Sequence, residues 1–182
     1  MKRLLFSVCF LLCTLCAASQ ELSVSTNLAD YADFGTLNAE LSYGVSRHWS
    51  VSVGAKYNPF VFRPDGETLR RCQRSFSTGA RYWPWHIFSG WWLSGLVRYQ
   101  EYSMGGIVSP QTSEGDRFGA GVGVGYTYML SPKLNLDFGA GVWSGYDMFT
   151  VYSCPDCGRK ISEGGKIFFL PSDILVSLSY IF

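Results

Sequence analysis

The feature that most constrains this chain is an apolar residue at every second position, in one segment after another. Between positions 118 and 130, side chains such as Val122 and Tyr126 alternate with glycine and threonine. Near position 180, Leu178 alternates in the same way with Ser177 and Ser179. Successive side chains of a β-strand point to opposite faces, so a period of two residues indicates strands. The chain is therefore predicted to be all-β.

About eight segments carry this pattern, and their connections alternate in length. Short turns at one end and long loops at the other are typical of outer-membrane barrels. We therefore predict an antiparallel up-and-down transmembrane β-barrel of about eight strands, with its short turns in the periplasm. The short connections are 46–48, 86–90 and 131–133, the first outer loop is 29–35, and the long loops are 58–73, 103–115 and 145–170.

The first 19 residues are predicted to be a cleavable export signal. Lys2 and Arg3 precede a short apolar core, and Ala17-Ala18-Ser19 supplies the small residues that a cleavage site requires. The apolar core is too short for a comfortable membrane helix. The expected organisation is a signal peptide at 1–19 and an outer-membrane β-barrel domain at 20–182.

Alternation alone does not say which face meets lipid, because a soluble lipocalin-like barrel alternates as well. Three features favour the membrane form. The polar faces carry mostly Gly and Ser rather than Lys and Glu, and charged residues are only 16% of the chain, against about 25% in soluble domains. The chain also ends in Tyr180-Ile181-Phe182, in which Tyr180 and Phe182 resemble the signal read by the barrel-assembly machinery. Aromatic residues gather near the strand ends, at Trp49, Tyr57, Tyr82, Trp91, Tyr99, Tyr128 and Tyr180.

A few charged residues fall on the polar face, which the membrane reading places inside the barrel. They are Glu40, Lys56, Arg81, Arg98 and Asp137. Buried charges need partners, and a barrel of about eight strands is narrow enough for side chains to fill it. We predict an interior ion-pair network that braces the barrel, rather than a path for ions or a wide channel.

Three cysteines follow the signal, and they allow several readings. Cys154 and Cys157 lie in the last predicted loop, where a disulfide suits an exported protein. Structural zinc usually needs four ligands, and only one such pair is present. A redox Cys-x-x-Cys belongs in a βαβ setting, which this sequence lacks. The disulfide is the leading interpretation, and Cys72 would pair with a loop cysteine or stay free.

The sequence offers little support for catalysis. Its two histidines, His48 and His86, fall at predicted periplasmic turns. Lipid-modifying barrel enzymes, by resemblance, place a histidine near the outer leaflet instead. There is no nucleophile elbow and no phosphate or dinucleotide loop. A formal charge of +1 without a basic stripe argues against nucleic acid. We predict no enzyme, cofactor or metal site, with a lipid-modifying barrel enzyme and a soluble ligand-binding barrel as alternatives.

Several short motifs, taken together, carry a family resemblance. They are Ser25-Thr26-Asn27-Leu28, Glu40-Leu41-Ser42-Tyr43-Gly44, Tyr57-Asn58-Pro59-Phe60, Ala80-Arg81-Tyr82-Trp83, and the late Cys-x-x-Cys-Gly followed by Gly164, Phe168 and Pro171. The combination resembles an uncharacterised (domain of unknown function) family of small Bacteroidetes outer-membrane barrels, often encoded near fimbrillin-type fimbrial genes. Leu170 stands where that family leads us to expect a Gly before the proline.

The resemblance implies a role rather than a chemistry. It points to fimbrial assembly, anchoring or surface adhesion through the long outer loops. The implied partners are outer-membrane lipid, the barrel-assembly machinery, and fimbrial or other cell-surface proteins. No catalytic residue is established for the family, so none is carried over to this sequence.

Overall fold

The structure is a computed structural model that describes residues 22–63, 68–106, 111–154 and 158–182, apart from the side chain of Asp173. The predicted signal peptide at 1–19 lies outside these residues. The described part contains nine strands and one short helix, α1. In chain order they are β1 (Leu22–Asn27), α1 (Leu28–Ala32), β2 (Leu37–Ser46), β3 (Trp49–Asn58), β4 (Val61–Phe62), β5 (Leu69–Tyr82), β6 (Gly90–Gly105), β7 (Thr112–Ser131), β8 (Leu134–Tyr152) and β9 (Lys160–Ile181).

Eight of the strands close into a barrel, and this confirms the predicted fold. Strands follow one another in the order β3-β2-β1-β9-β8-β7-β6-β5, and a pairing between β3 and β5 completes the ring. Every neighbouring pair is antiparallel. The two-residue β4 pairs only with the start of β5. The result is an all-β, up-and-down barrel.

The polar face of the barrel wall lies inside and the apolar face lies outside, which is the reverse of a water-soluble barrel. Ser23, Ser42 and Ser50 point inward and are buried. Val53 and Val122 point outward, with 60% and 63% of their surface exposed. A lipocalin-like barrel encloses a ligand with the apolar face inward, whereas here the apolar face is outside.

The prediction of long loops at 103–115 and 145–170 is wrong for most of those residues. β6 and β7 stay paired up to Gly105 and Thr112, and β8 and β9 up to Tyr152 and Lys160. Gly, Ser and charged residues occupy both faces of these segments, so the alternation of polarity ends while the backbone ladder continues. The predicted loop at 58–73 likewise contains β4 and the start of β5, and α1 begins one residue before the predicted first outer loop and occupies its first half.

Candidate functional site

Aromatic side chains close the end of the barrel where β1 begins, β9 ends and the short turns lie. The prediction of a tight turn at 86–90 is wrong, because residues 83–89 connect β5 to β6 and fold partly into the barrel. Trp83, Phe88 and Trp92 are buried there. The Trp83 ring lies 5.8 Å from Phe88 and 6.4 Å from Trp92, centroid to centroid. Its Nε1 donates to Ser50 Oγ at 3.0 Å. We call these three residues the lower plug.

Glycines on two strands make room for the lower plug. A Cβ at Gly139 would lie 2.7 Å from Cη2 of Trp92, and a Cβ at Gly125 would overlap the same ring. Real Cβ atoms do not approach other atoms so closely, so neither position accepts a side chain without moving Trp92. The glycine-rich alternation of β7 and β8 therefore has a packing cause, because a ring from β6 lies flat against the inner wall.

The charged residues predicted to lie inside the barrel do point into it, with different partners. Arg81 pairs with Glu40 at 2.5 Å, and its guanidinium lies 4.9 Å from the Trp92 ring centroid. Asp137 is buried and accepts hydrogen bonds from the hydroxyls of Thr127 and Ser179. Further up the barrel, Lys56 pairs with Asp30 at 2.7 Å, and Arg98 stacks on Trp143 at 5.3 Å.

The opposite end of the barrel is covered by α1 and the turn that follows it. Two ion pairs tie this segment down, Lys56 to Asp30 and Arg71 to Asp33, the latter at 2.6 Å. Asn58 donates to Thr36 Oγ1 at 2.9 Å. A cavity of about 90 Å³ lies inside the barrel, and one of about 380 Å³ lies nearer α1. Side chains thus occupy part of the barrel interior and leave these two spaces between them.

A second buried cluster lies where β6 to β9 extend past the rest of the barrel. Asp147 is completely buried, and its carboxylate accepts from the Tyr102 hydroxyl at 2.9 Å. Nε of Arg117 lies 3.2 Å from the same carboxylate, and its guanidinium lies 3.8 Å from the Tyr102 ring centroid. Lys166 approaches to 3.9 Å. This cluster joins four strands that reach beyond β1, β2 and β3, and we call it the Asp147 cluster.

The outer surface carries aromatic side chains near both ends of the strands. Trp49 and Tyr57 are exposed near the two ends of β3, and on β6 Trp91 and Tyr99 are exposed with the same eight-residue spacing. On β7, Phe118 and Tyr128 are ten residues apart. At about 3.3 Å per residue and a tilt of about 40°, that separation spans about 25 Å along the barrel axis. The seven aromatic residues singled out from the sequence are all exposed.

The remaining candidate residues occupy varied positions. Cys154 is disulfide-bonded, Cys157 lies outside the described residues, and Cys72 carries a free thiol. His48 Nδ1 lies 2.9 Å from the Trp83 carbonyl oxygen, beside the lower plug, and His86 is exposed in the turn. Tyr180 and Phe182 are both exposed, with ring centroids 5.1 Å apart.

Sequence reasoning missed the residues that close the barrel. Asp30 and Asp33 lie in a predicted loop, and Asp147 and Arg117 in segments with polar residues on both faces. The cysteine pair and the histidines stood out by their chemistry, whereas Trp83 entered only as part of the motif Ala80-Arg81-Tyr82-Trp83. The available signals for α1 were Asn27, which caps the helix, and the acidic Asp30 in its first turn. Within the described residues, no three His, Cys, Asp or Glu side chains are grouped to hold a metal ion.

No helix among the described residues is long and apolar enough to cross a membrane.

Comparison with known proteins gives one match, to a family model. The model, described as "Protein of unknown function (DUF3575)", matches residues 5–182. No curated protein and no solved structure matches the chain. The sequence-based assignment to an uncharacterised family is confirmed.

Proposed function

The chain belongs to the DUF3575 family of proteins of unknown function, and we propose that it is an outer-membrane β-barrel with a structural role at the cell surface. The observation that carries the proposal is the apolar exterior around a polar, partly filled interior. Apolar surface of this extent is unfavourable in water. A closed barrel satisfies all its backbone hydrogen bonds without water.

The dimensions of the exterior support a lipid environment. The aromatic residues on β7 bound an apolar band of about 25 Å, close to the height of the apolar band in outer-membrane barrels. Val122, Val124 and Phe138 are exposed within it. Beyond Tyr99 on β6, charged groups appear on the outer face, where Arg74 pairs with Glu101 at 2.7 Å. An aromatic residue followed by an ion pair is the order expected where lipid gives way to water.

The proposed role is not enzymatic. His48 lies at the end with the short turns and holds a backbone carbonyl, so its ring already has a structural partner. The interior charges Glu40, Arg81 and Asp137 are likewise engaged. We assign them to bracing the barrel.

The surface role rests on the part of the barrel that extends past the lipid. Strands β7, β8 and β9 contain about twice the 9–11 residues needed to cross a membrane. Strand β9 leaves the apolar band near Leu170, which lies ten residues above the lower aromatic residues. The hairpins above this level would contact a fimbrial or other surface protein, as the family resemblance implies.

Cell fractionation tests the location. The purified mature protein in detergent should also migrate differently on a gel before and after boiling, as closed membrane barrels do. Recovery in the soluble periplasmic fraction, without a mobility shift, would refute the proposal. In that case the apolar exterior would have to be covered by another protein.

Two sets of variants test the role. Shortening the β8–β9 hairpin by removing residues 150–162 should preserve the mobility shift and remove surface attachment. Replacement of His48 by Ala should leave attachment unchanged. If His48→Ala abolished a lipid modification present in wild-type cells, the non-enzymatic assignment would be wrong.

A further inference from the structure

Strand β9 has a neighbour on both edges for only part of its length. β1 pairs with it from Ser177 to Ile181, whereas β8 pairs with it from Lys160 to Tyr180. Among the described residues, β8 is the only strand that pairs with residues 160–169. We call this segment the open edge.

The point at which β9 loses its second neighbour is marked by one side chain. Asn27, the last residue of β1, donates from Nδ2 to the Ile174 carbonyl at 3.2 Å. Its Oδ1 accepts from the Val176 amide at 3.0 Å. The side chain thus extends the ladder for one step after the β1 backbone turns into α1. Beyond Asn27, α1 lies against β9. Ala29, Leu170 and Pro171 line the cavity of about 380 Å³ near α1. The open edge begins just above them.

We propose that the open edge binds an extended segment of a partner polypeptide, which adds one further strand to the sheet. The proposal rests on the proposed function for placing this edge outside the membrane. In an antiparallel strand, alternate residues direct their N–H and C=O groups to each edge. About half of residues 160–169 therefore present paired backbone groups on the side away from β8. A repeat of donors and acceptors at this spacing matches another polypeptide backbone rather than a lipid or a sugar.

The side chains of the open edge define the chemistry of the partner. Ile167 and Phe169 point outward with 82% and 71% of their surface exposed, so apolar partner residues should lie beside them. Gly164 and Gly165 carry no side chains, and Phe149 and Tyr146 of β8 already lie over them, so this part of the edge offers a partner backbone groups rather than a pocket. Lys166 lies on the other face with its side chain 58% exposed, which favours an acidic residue next to it.

The Asp147 cluster makes the edge a rigid template. Lys166 and Phe168 of β9 approach Asp147 and Arg117 of the neighbouring strands. The strand is therefore held straight against β8 before a partner arrives, which lowers the conformational entropy lost on binding.

A second copy of this chain fits the edge less well. A two-fold pairing of identical strand edges is antiparallel. Two barrels joined in that way would point in opposite directions, and barrels inserted in one membrane point the same way. A partner with a free extended segment has no such restriction.

The test uses the purified full barrel in detergent micelles and a displayed library of ten-residue peptides. Alternate library positions carry Val, Ile, Phe or Tyr, and the others carry polar or acidic residues. We expect enriched peptides whose binding shifts the amide NMR signals of residues 160–169. N-methylation of one alternate set of peptide amides should weaken binding tenfold or more, and methylation of the other set less than threefold.

Two matched protein variants complete the test. Ile167→Lys places a charge beside the edge and should weaken binding at least tenfold. Met148→Lys, on the outward face of the adjacent β8, should change it less than twofold. No enrichment over a library without alternation, or equal sensitivity to both methylation sets, would overturn the proposal. Edge-to-edge dimers that exclude peptide would assign the edge to a second copy and overturn it too. None of these results depends on where the protein resides in the cell, so they are separate from the fractionation test.

Discussion

Strands β6 to β9 run through both the closed part of the barrel and the wall that projects from it, and their surroundings differ between the two. In the closed part, every strand has two neighbours, one face is apolar, and Gly or Ser lines much of the other. In the projecting wall, formed by the upper ends of β6 to β9, polar and charged groups lie on both faces beside the exposed Ile167 and Phe169, and among the described residues one edge has no strand beside it. The comparison shows that the hydrogen-bonded ladder sets the extent of a strand, whereas the solvent on each face sets its residue pattern.

The strongest test of this difference places a charge on the outward face of the barrel at two heights. Val122→Arg, in the middle of the apolar band, should lower the free energy of unfolding by about 2–4 kcal/mol. The matched Thr150→Arg, in the projecting wall, should change it by less than about 0.5 kcal/mol. Urea unfolding in phospholipid vesicles, followed by tryptophan fluorescence, measures both. Equal losses would show that the two heights share one environment.

A second test concerns the interior of the closed part. Arg81→Ala removes the ion pair with Glu40 and the contact with Trp92, and it leaves a carboxylate without its cation. We expect a loss of about 2 kcal/mol in the free energy of unfolding. The double variant with Glu40→Ala should lose less than the sum of the single variants. Additive losses would show that the two charges act independently.

The projecting wall should respond to its own cluster without involving the barrel. Asp147→Asn keeps an acceptor for Tyr102 but removes the charge that faces Arg117. We expect a local loss of about 1.5 kcal/mol, seen as about tenfold faster amide exchange in residues 112–117 and 147–152. Amides of β3 serve as the control and should be unaffected. Faster exchange in β3 as well would mean that the wall and the barrel unfold together.

The smallest effect is expected at the surface of the wall. Lys160 and Glu163 form an ion pair with side chains 47% and 68% exposed. Lys160→Gln should change the free energy of local opening, measured by amide exchange, by less than about 0.5 kcal/mol, because water and salt screen exposed ion pairs. A loss above about 1 kcal/mol would show that surface charges, and not the Asp147 cluster, hold the wall.

Most of the barrel could be predicted from the sequence, and the wall could not, for a physical reason. Val122 and its neighbours alternate because one face of β7 is apolar and the other is inside, so a period of two is visible. Asp116 and Arg117 are adjacent charged residues on opposite faces of the same strand, where one meets the Tyr99 hydroxyl and the other the Tyr102 ring, and no alternation of polarity marks them. The inward direction of Glu40, Arg81 and Asp137 followed from their positions on the polar side of the alternating pattern. The partners of Asp137 and Lys56 could not be inferred, because Thr127, Ser179 and Asp30 come from other strands and from α1.

The pairing of β1 with β9 has a consequence for how the molecule forms. The hydrogen bond from Asn27 to Ile174 joins residues 147 positions apart, and β1 can complete its second ladder only with the final strand of the ring. The growing chain therefore carries two unclosed edges until β9 is in place. Such distant pairings are slow to form, and unpaired edges aggregate. Closure of this seam is thus the step at which the barrel depends most on assistance.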